Sequence, residues 1–67
     1  MKKIKIYDVL NLLEMEDDVL IFDLDNNSSN EFQGKVKDVP LKLETSYVVT
    51  SVSFINDSKT FIYVRSK

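Results

Sequence analysis

The chain has 67 residues, of which 43% are hydrophobic and 30% charged, with a formal net charge of −2. That length admits one domain, residues 1–67, and excludes a second domain or a large enclosed active site, while the hydrophobic content excludes a disordered tail. With neither cysteine nor histidine, thiol nucleophiles, disulfides, structural zinc and every imidazole acid–base scheme are excluded together.

In chain order, Ile6, Val9, Leu10, Leu12, Leu13 and Met15 recur at three- and four-residue spacings, which predicts a helix of about ten residues from Ile6 to Met15. Asp8 lies in its first turn, where a carboxylate can accept free backbone N–H groups. Glu14, Glu16, Asp17 and Asp18 lie at the unfavourable end of the helix dipole and mark its stop. Val19 to Phe22 is rich in β-formers and predicts a strand; Asp25 to Asn30 is all Asp, Asn and Ser and predicts a loop that tolerates left-handed dihedrals. Phe32, Gly34 and Val36 alternate with Gln33, Lys35 and Lys37, the pattern of a half-exposed strand antiparallel to the first. Pro40 ends it, and Val39-Pro40-Leu41 makes a short connector. Two further alternating segments, Tyr47 to Ile55 and Thr60 to Arg65, flank the turn residues Asn56 to Lys59 and predict a hairpin.

The first and last of these strands are apolar on both faces, yet one short helix covers only one side of a sheet. Either the sheet curls and buries both faces itself, or Val49, Phe61 and Tyr63 form a patch that mates with a second copy or another protein. The expected architecture is α+β: a short N-terminal helix packed on a curled, mainly antiparallel four-stranded sheet, in the order α-β-β-β-β.

Charge is unevenly spread. Lys2, Lys3 and Lys5 open the chain, and eight carboxylates then run from Asp8 to Glu31 with no Lys or Arg among them. From Phe32 onward six cations face three carboxylates. Such a block suggests a face for a basic partner surface, and its candidate edge is Glu14, Glu16, Asp17, Asp18, Asp23 and Asp25. A second candidate face is Tyr47, Phe61, Tyr63 and Arg65, with Lys59 near, a stacking-plus-cation arrangement suited to single-stranded nucleic acid.

Two acidic spacings invite a chemical reading. Val19-Leu20-Ile21-Phe22-Asp23-Leu24-Asp25 resembles the first motif of haloacid-dehalogenase-type phosphatases, a resemblance that implies Asp23 as nucleophile and Asp25 as acid with Mg²⁺. It covers eight residues, to Asn26, and the remainder of that family's pattern is missing. Asp23-x-Asp25-x-Asn27 begins like a calcium loop, but the sixth and twelfth positions are Ser28 and Gly34 where an EF-hand needs Gly and Glu. No catalytic residue, metal ligand or cofactor is expected.

The chain contains no Ala, one Gly, one Pro and a single Arg against eight Lys, with five Asn and five Ile, a coding bias that points to an AT-rich genome. The segments Ile4 to Leu13 and Phe32 to Pro40, with the apolar strand between them, look like small proteins of prophages and mobile elements of low-GC Gram-positive bacteria. That resemblance implies a genomic setting and no residue roles. No apolar run approaches the roughly 18 residues of a membrane span, and Met1-Lys2-Lys3 leads into alternating residues, not a signal peptide. The sequence therefore predicts a cytoplasmic, non-enzymatic protein-interaction module, an accessory or regulatory factor that engages a basic partner, with no membrane partner and with self-association open to it. A small nucleic-acid-binding module is the alternative.

Overall fold

The computed structural model describes residues 3–67; Lys2 of the opening basic cluster lies outside them. Four strands form one sheet: β1 (Asp18–Asp23), β2 (Ser29–Lys35), β3 (Tyr47–Asn56) and β4 (Lys59–Ser66). Their spatial order is β2-β1-β4-β3. The pairs β1/β2 and β3/β4 are antiparallel hairpins, as their alternation and turn residues predict, but the hairpins join through a parallel pairing of β1 with β4. The expected curled, mainly antiparallel sheet is thus corrected to a mixed, open one, in which β2 and β3 remain as two separate edges.

The parallel junction puts the two most apolar strands side by side in register, Val19 beside Thr60, Ile21 beside Ile62 and Asp23 beside Val64. On this face Val19, Ile21, Ile62 and Val64 have no solvent exposure. Strands in parallel need a long connection, and here the chain must travel from the β2 edge to the β3 edge. It does so across this face, through a 3₁₀ turn at Val36–Asp38 and a helix, α2 (Leu41–Ser46). Val36, Val39 and Leu43, at helix-like three- and four-residue spacing, are buried against the strands. The connector expected around Pro40 is therefore a second covering element. Pro40 stands at the N-cap of α2, just ahead of the first helical position, where its missing N–H breaks no helical hydrogen bond.

Helix α1 spans only Ile6–Leu10, half the predicted length. Ile6, Val9 and Leu10 fill the space the central strands leave beside α2, and the backbone then tightens, with the Leu12 and Leu13 amides donating to Val9 and Leu10 carbonyls at 3.0 Å. Leu12 and Met15 are 75% and 67% exposed, so the longer stripe has no surface left to cover. From Met15 the chain runs instead beside the end of β2: the Val36 amide donates to the Asp17 carbonyl at 3.0 Å and the Lys37 amide to the Met15 carbonyl at 3.2 Å. At its start, α1 is held by two carboxylates. Asp8 accepts from the Lys5 amide at 3.0 Å, and Glu44 of α2 accepts from the Tyr7 amide at 2.8 Å. Between β1 and β2, Asn27 and Ser28 adopt left-handed φ values of 53° and 59°, matching the tolerance of those residue types.

Among the described residues no helix is long and apolar enough to cross a membrane. The division between core and surface aliphatic side chains is testable by denaturant titration. Ile62→Ala should lower stability by about 2–5 kcal/mol, a large part of what a domain this small possesses, whereas Leu12→Ser should change it by no more than about 0.5 kcal/mol.

Candidate functional site: an open aromatic sheet face

Helices cover one side of the sheet, and the strand alternation carries the remaining apolar side chains to the other. Leu20 lies beside Phe61 and Phe22 beside Tyr63 across the parallel junction, and all four are partly exposed. Val48, opposite Arg65 on β3, extends the patch, and Gln33 and Asn30 flank it on β2. Ser51 and Ser53, opposite Tyr63 and Phe61, complete it toward the β3 edge. The rings contact one another: Phe22 stacks on Tyr63 with centroids 5.5 Å apart and meets Phe61 edge-on at 5.4 Å. Lys59 sits with its ammonium 6.0 Å from the Phe61 ring centroid, within cation–π range. The result is an apolar centre with a mixed rim of Asp18, Lys35, Lys59 and Arg65.

The second candidate face is therefore assembled in part. Phe61, Tyr63 and Arg65 share it, as alternation predicts. Tyr47 does not; it pairs with Ser66 on the helix side and packs against the core. Its hydroxyl donates to Glu31 Oε1 at 3.1 Å, a bond that links the two edge strands beneath the sheet. Burial, then the Glu31 hydrogen bond and charge and finally the nearby Asp23 carboxylate push the Tyr47 phenol up to about 12. The physical reason for the correction is the bulge at Thr50, between the Val49/Val64 and Ser51/Tyr63 pairs, which shifts the alternation of β3 by one residue. Leu20 and Phe22 are the residues the sequence reading left out. Their alternation with Val19 and Ile21 was available, but the neighbour that joins them to Phe61 and Tyr63 was not.

The acidic residues do not gather into one edge. Asp18 and Asp23 stand at opposite ends of β1, about 16 Å apart at the ordinary rise of a strand. Asp17 accepts from the Glu14 amide at 3.0 Å, closing a local turn. Glu16 bridges Lys37 at 2.6 Å and Lys35 at 3.7 Å. The hydrogen bond and charge of Lys37 hold the Glu16 carboxyl below its ordinary value, and Glu16 raises Lys37 in return. Asp18, opposite Lys35 on one side and Lys59 on the other, joins the rim of the open face. Asp23 is buried, and its Oδ1 accepts from the Asp25 amide at 2.9 Å. Asp25 accepts from Arg65 Nη1 and from the Ser66 amide, both at 2.9 Å. Asp23 and Asp25 thus serve different partners, and among the described residues no group of three acidic side chains is arranged to hold one metal ion.

A cleft of about 360 Å³ opens beside the turn after α1, lined chiefly by Tyr7, Leu10, Leu13, Met15, Val36 and Val39. Its polar side chains besides Tyr7 are Asn11 and Lys37, and Lys37 is bound to Glu16. The Tyr7 hydroxyl donates to the Val39 carbonyl at 3.2 Å. The cleft therefore offers little to orient a substrate. Comparison with protein-family models, curated proteins and solved structures gave no match.

The Tyr47–Glu31 bond makes a direct prediction. Tyr47→Phe leaves a partly buried carboxylate oxygen without its donor and should lower stability by about 1–3 kcal/mol in chemical denaturation at neutral pH. A phenol whose folded pKa lies above the ordinary value contributes stability in full below about pH 10, lost as pH rises through about 12. The difference between parent and Tyr47→Phe should accordingly shrink across that window.

Proposed function

We propose that this protein is a non-enzymatic protein-binding module whose binding surface is the open sheet face of Leu20, Phe22, Phe61 and Tyr63. The observation that carries the reading is that four large apolar side chains from the two central strands lie together, partly exposed, on the side opposite the helices. A chain of this size buries only about three-fifths of its unfolded surface. Leaving two phenylalanines and a leucine outside its core forgoes stabilisation of about 1.5–3 kcal/mol for each side chain that would otherwise be buried. A contiguous apolar patch with a polar rim is the ordinary form of a protein-interaction surface.

The ring geometry favours a protein partner over single-stranded nucleic acid. Bases bind by stacking on free aromatic faces, whereas Phe22 is engaged by Tyr63 and by Phe61. The cations near the patch are also partly spent, Arg65 on Asp25 and Lys35 on Glu16. Nucleic-acid binding draws support from Lys59 and Arg65 on the same strand face as Phe61 and Tyr63, and it is kept as the competing outcome. The acidic residues enter this reading through Asp18 at the rim, and the mixed charge there favours a partner with both signs on its own rim. We place the module in the cytoplasm, as an accessory factor of a phage or mobile element, on its cysteine-free composition and its coding bias.

Affinity capture from a nuclease-treated lysate of a low-GC bacterium checks the reading with three baits. The parent should enrich a protein that is lost with Phe22→Ser/Tyr63→Ser and retained with Asp17→Lys/Glu14→Lys, each bait verified as folded. Loss with the charge-reversed bait alone would return the site to the acidic residues. Tight binding of the parent to a single-stranded oligonucleotide, weakened by Lys59→Glu/Arg65→Glu and by added salt, would establish the nucleic-acid reading instead.

A further inference from the structure

At one end of the open face the strands leave a hollow of about 250 Å³, lined by Asp18, Leu20, Gln33, Gly34 and Lys59. Three strands build it. Asp18 and Leu20 come from β1, Gln33 lies opposite Leu20 on β2, and Lys59 lies opposite Asp18 on β4. Gly34 contributes backbone alone, and Leu20 forms an apolar wall beside Phe61. The volume falls below the roughly 300–1,000 Å³ of small-molecule pockets and suits one side chain of a partner docked on the rings.

The charges around the hollow are not balanced within it. Asp18 has a lysine opposite it on each side, Lys35 on β2 and Lys59 on β4, yet among the described residues it forms an ion pair with neither. Lys35 turns to Glu16, its Nζ lying 3.7 Å from Oε1 and donating to the Glu16 carbonyl at 3.3 Å. Lys59 holds its ammonium 6.0 Å from the Phe61 ring centroid. The Asp18 carboxylate, at the margin of an apolar patch, is thus left for a cation from outside. One carboxylate with two lysines near it cannot hold a free metal ion, which needs several oxygen ligands. A cationic side chain delivered by a partner already seated on the aromatic patch needs only the one.

We propose that this hollow receives an arginine side chain of the protein partner, whose guanidinium forks onto the Asp18 carboxylate while its methylenes lie along Leu20. The inference rests on reading the open face as a protein-binding surface. Arginine suits the hollow better than lysine on two grounds. Its planar fork matches both oxygens of a carboxylate and keeps N–H groups for the Gln33 amide oxygen, whereas an ammonium meets them as a point charge. A guanidinium is also the more weakly hydrated, which fits a partly apolar lining. The partner's contact surface therefore carries an arginine beside the apolar groups that cover Phe22, Phe61 and Tyr63.

Selection from a displayed library of random peptides against the folded parent, with folded Phe22→Ser/Tyr63→Ser protein as the counter-target, isolates binders of the open face. These should carry an arginine, and replacing it with citrulline, which keeps the shape and loses the charge, should weaken binding by about tenfold. Asp18→Asn removes the charge and leaves the residue 18 amide bonded to the Ser58 carbonyl at 2.7 Å; it should weaken the arginine peptide by about the same factor. The two changes together should cost little more than either alone, the mark of groups in contact. Binders that need Phe22 and Tyr63 but hold Asp18→Asn as tightly as the parent overturn the inference and leave the open-face reading standing. Binders that carry an acidic residue and are weakened by Lys59→Gln instead overturn it by assigning the hollow to an anion. If no peptide distinguishes the parent from Phe22→Ser/Tyr63→Ser, this inference and the reading beneath it fall together.

Discussion

The parallel pairing of β1 with β4 is the constraint from which the other features follow. Two antiparallel hairpins could have remained separate ribbons, each too small to hold a core. Joined through their most apolar strands, they bring Val19, Ile21, Ile62 and Val64 to the centre of one face, where none has solvent exposure. Strand geometry then carries Leu20, Phe22, Phe61 and Tyr63 to the reverse face, because successive side chains point to opposite sides. Burying the first set thus fixes the position of the second. The core and the open aromatic face are two consequences of one register.

The same junction explains the coverings. A chain that leaves β2 and must begin β3 at the opposite edge has to cross the central strands, and it crosses on the face where Val36, Val39 and Leu43 find apolar neighbours. Helix α1 fills what that crossing leaves uncovered. Once both are in place, one side of the sheet is occupied, and the described residues supply no third element for the other. In a protein of 67 residues the uncovered face is a large fraction of what hydrophobic burial could have supplied. That imbalance favours a binding role for the face.

Charge, conspicuous along the sequence, is largely local in space. Glu16 meets Lys35 and Lys37, Asp25 meets Arg65, Asp17 closes a turn, and Asp23 receives the Asp25 amide. Cations placed far along the chain return to the carboxylates because β2 and β4 flank β1. Exposed pairs of this kind add little stability individually, but they give Glu16 and Asp25 counter-ions that the linear pattern does not show. A run of carboxylates along the chain is therefore not by itself one acidic surface, because residues distant in sequence supply cations to some of its members.

The sequence by itself determined the elements whose signals are local. The four strands follow from alternation and β-formers, and the turns between them from clusters of Asn, Asp and Ser. It also placed Phe61, Tyr63 and Arg65 on one strand face. Even the covering segment had a legible sign, the spacing of Val36, Val39 and Leu43, although Pro40 between them reads as an interruption. Tertiary structure alone decided what depends on neighbours distant in the chain. Helix α1 ends at Leu10 because the sheet offers no surface for Leu12 and Met15. Tyr47 turns inward because a bulge at Thr50 shifts its strand. Phe22 joins Phe61 and Tyr63 only through the parallel register of strands that lie some forty residues apart. Alternation states which side chains share a face of one strand; which strand lies beside it is set by the packing of the whole chain.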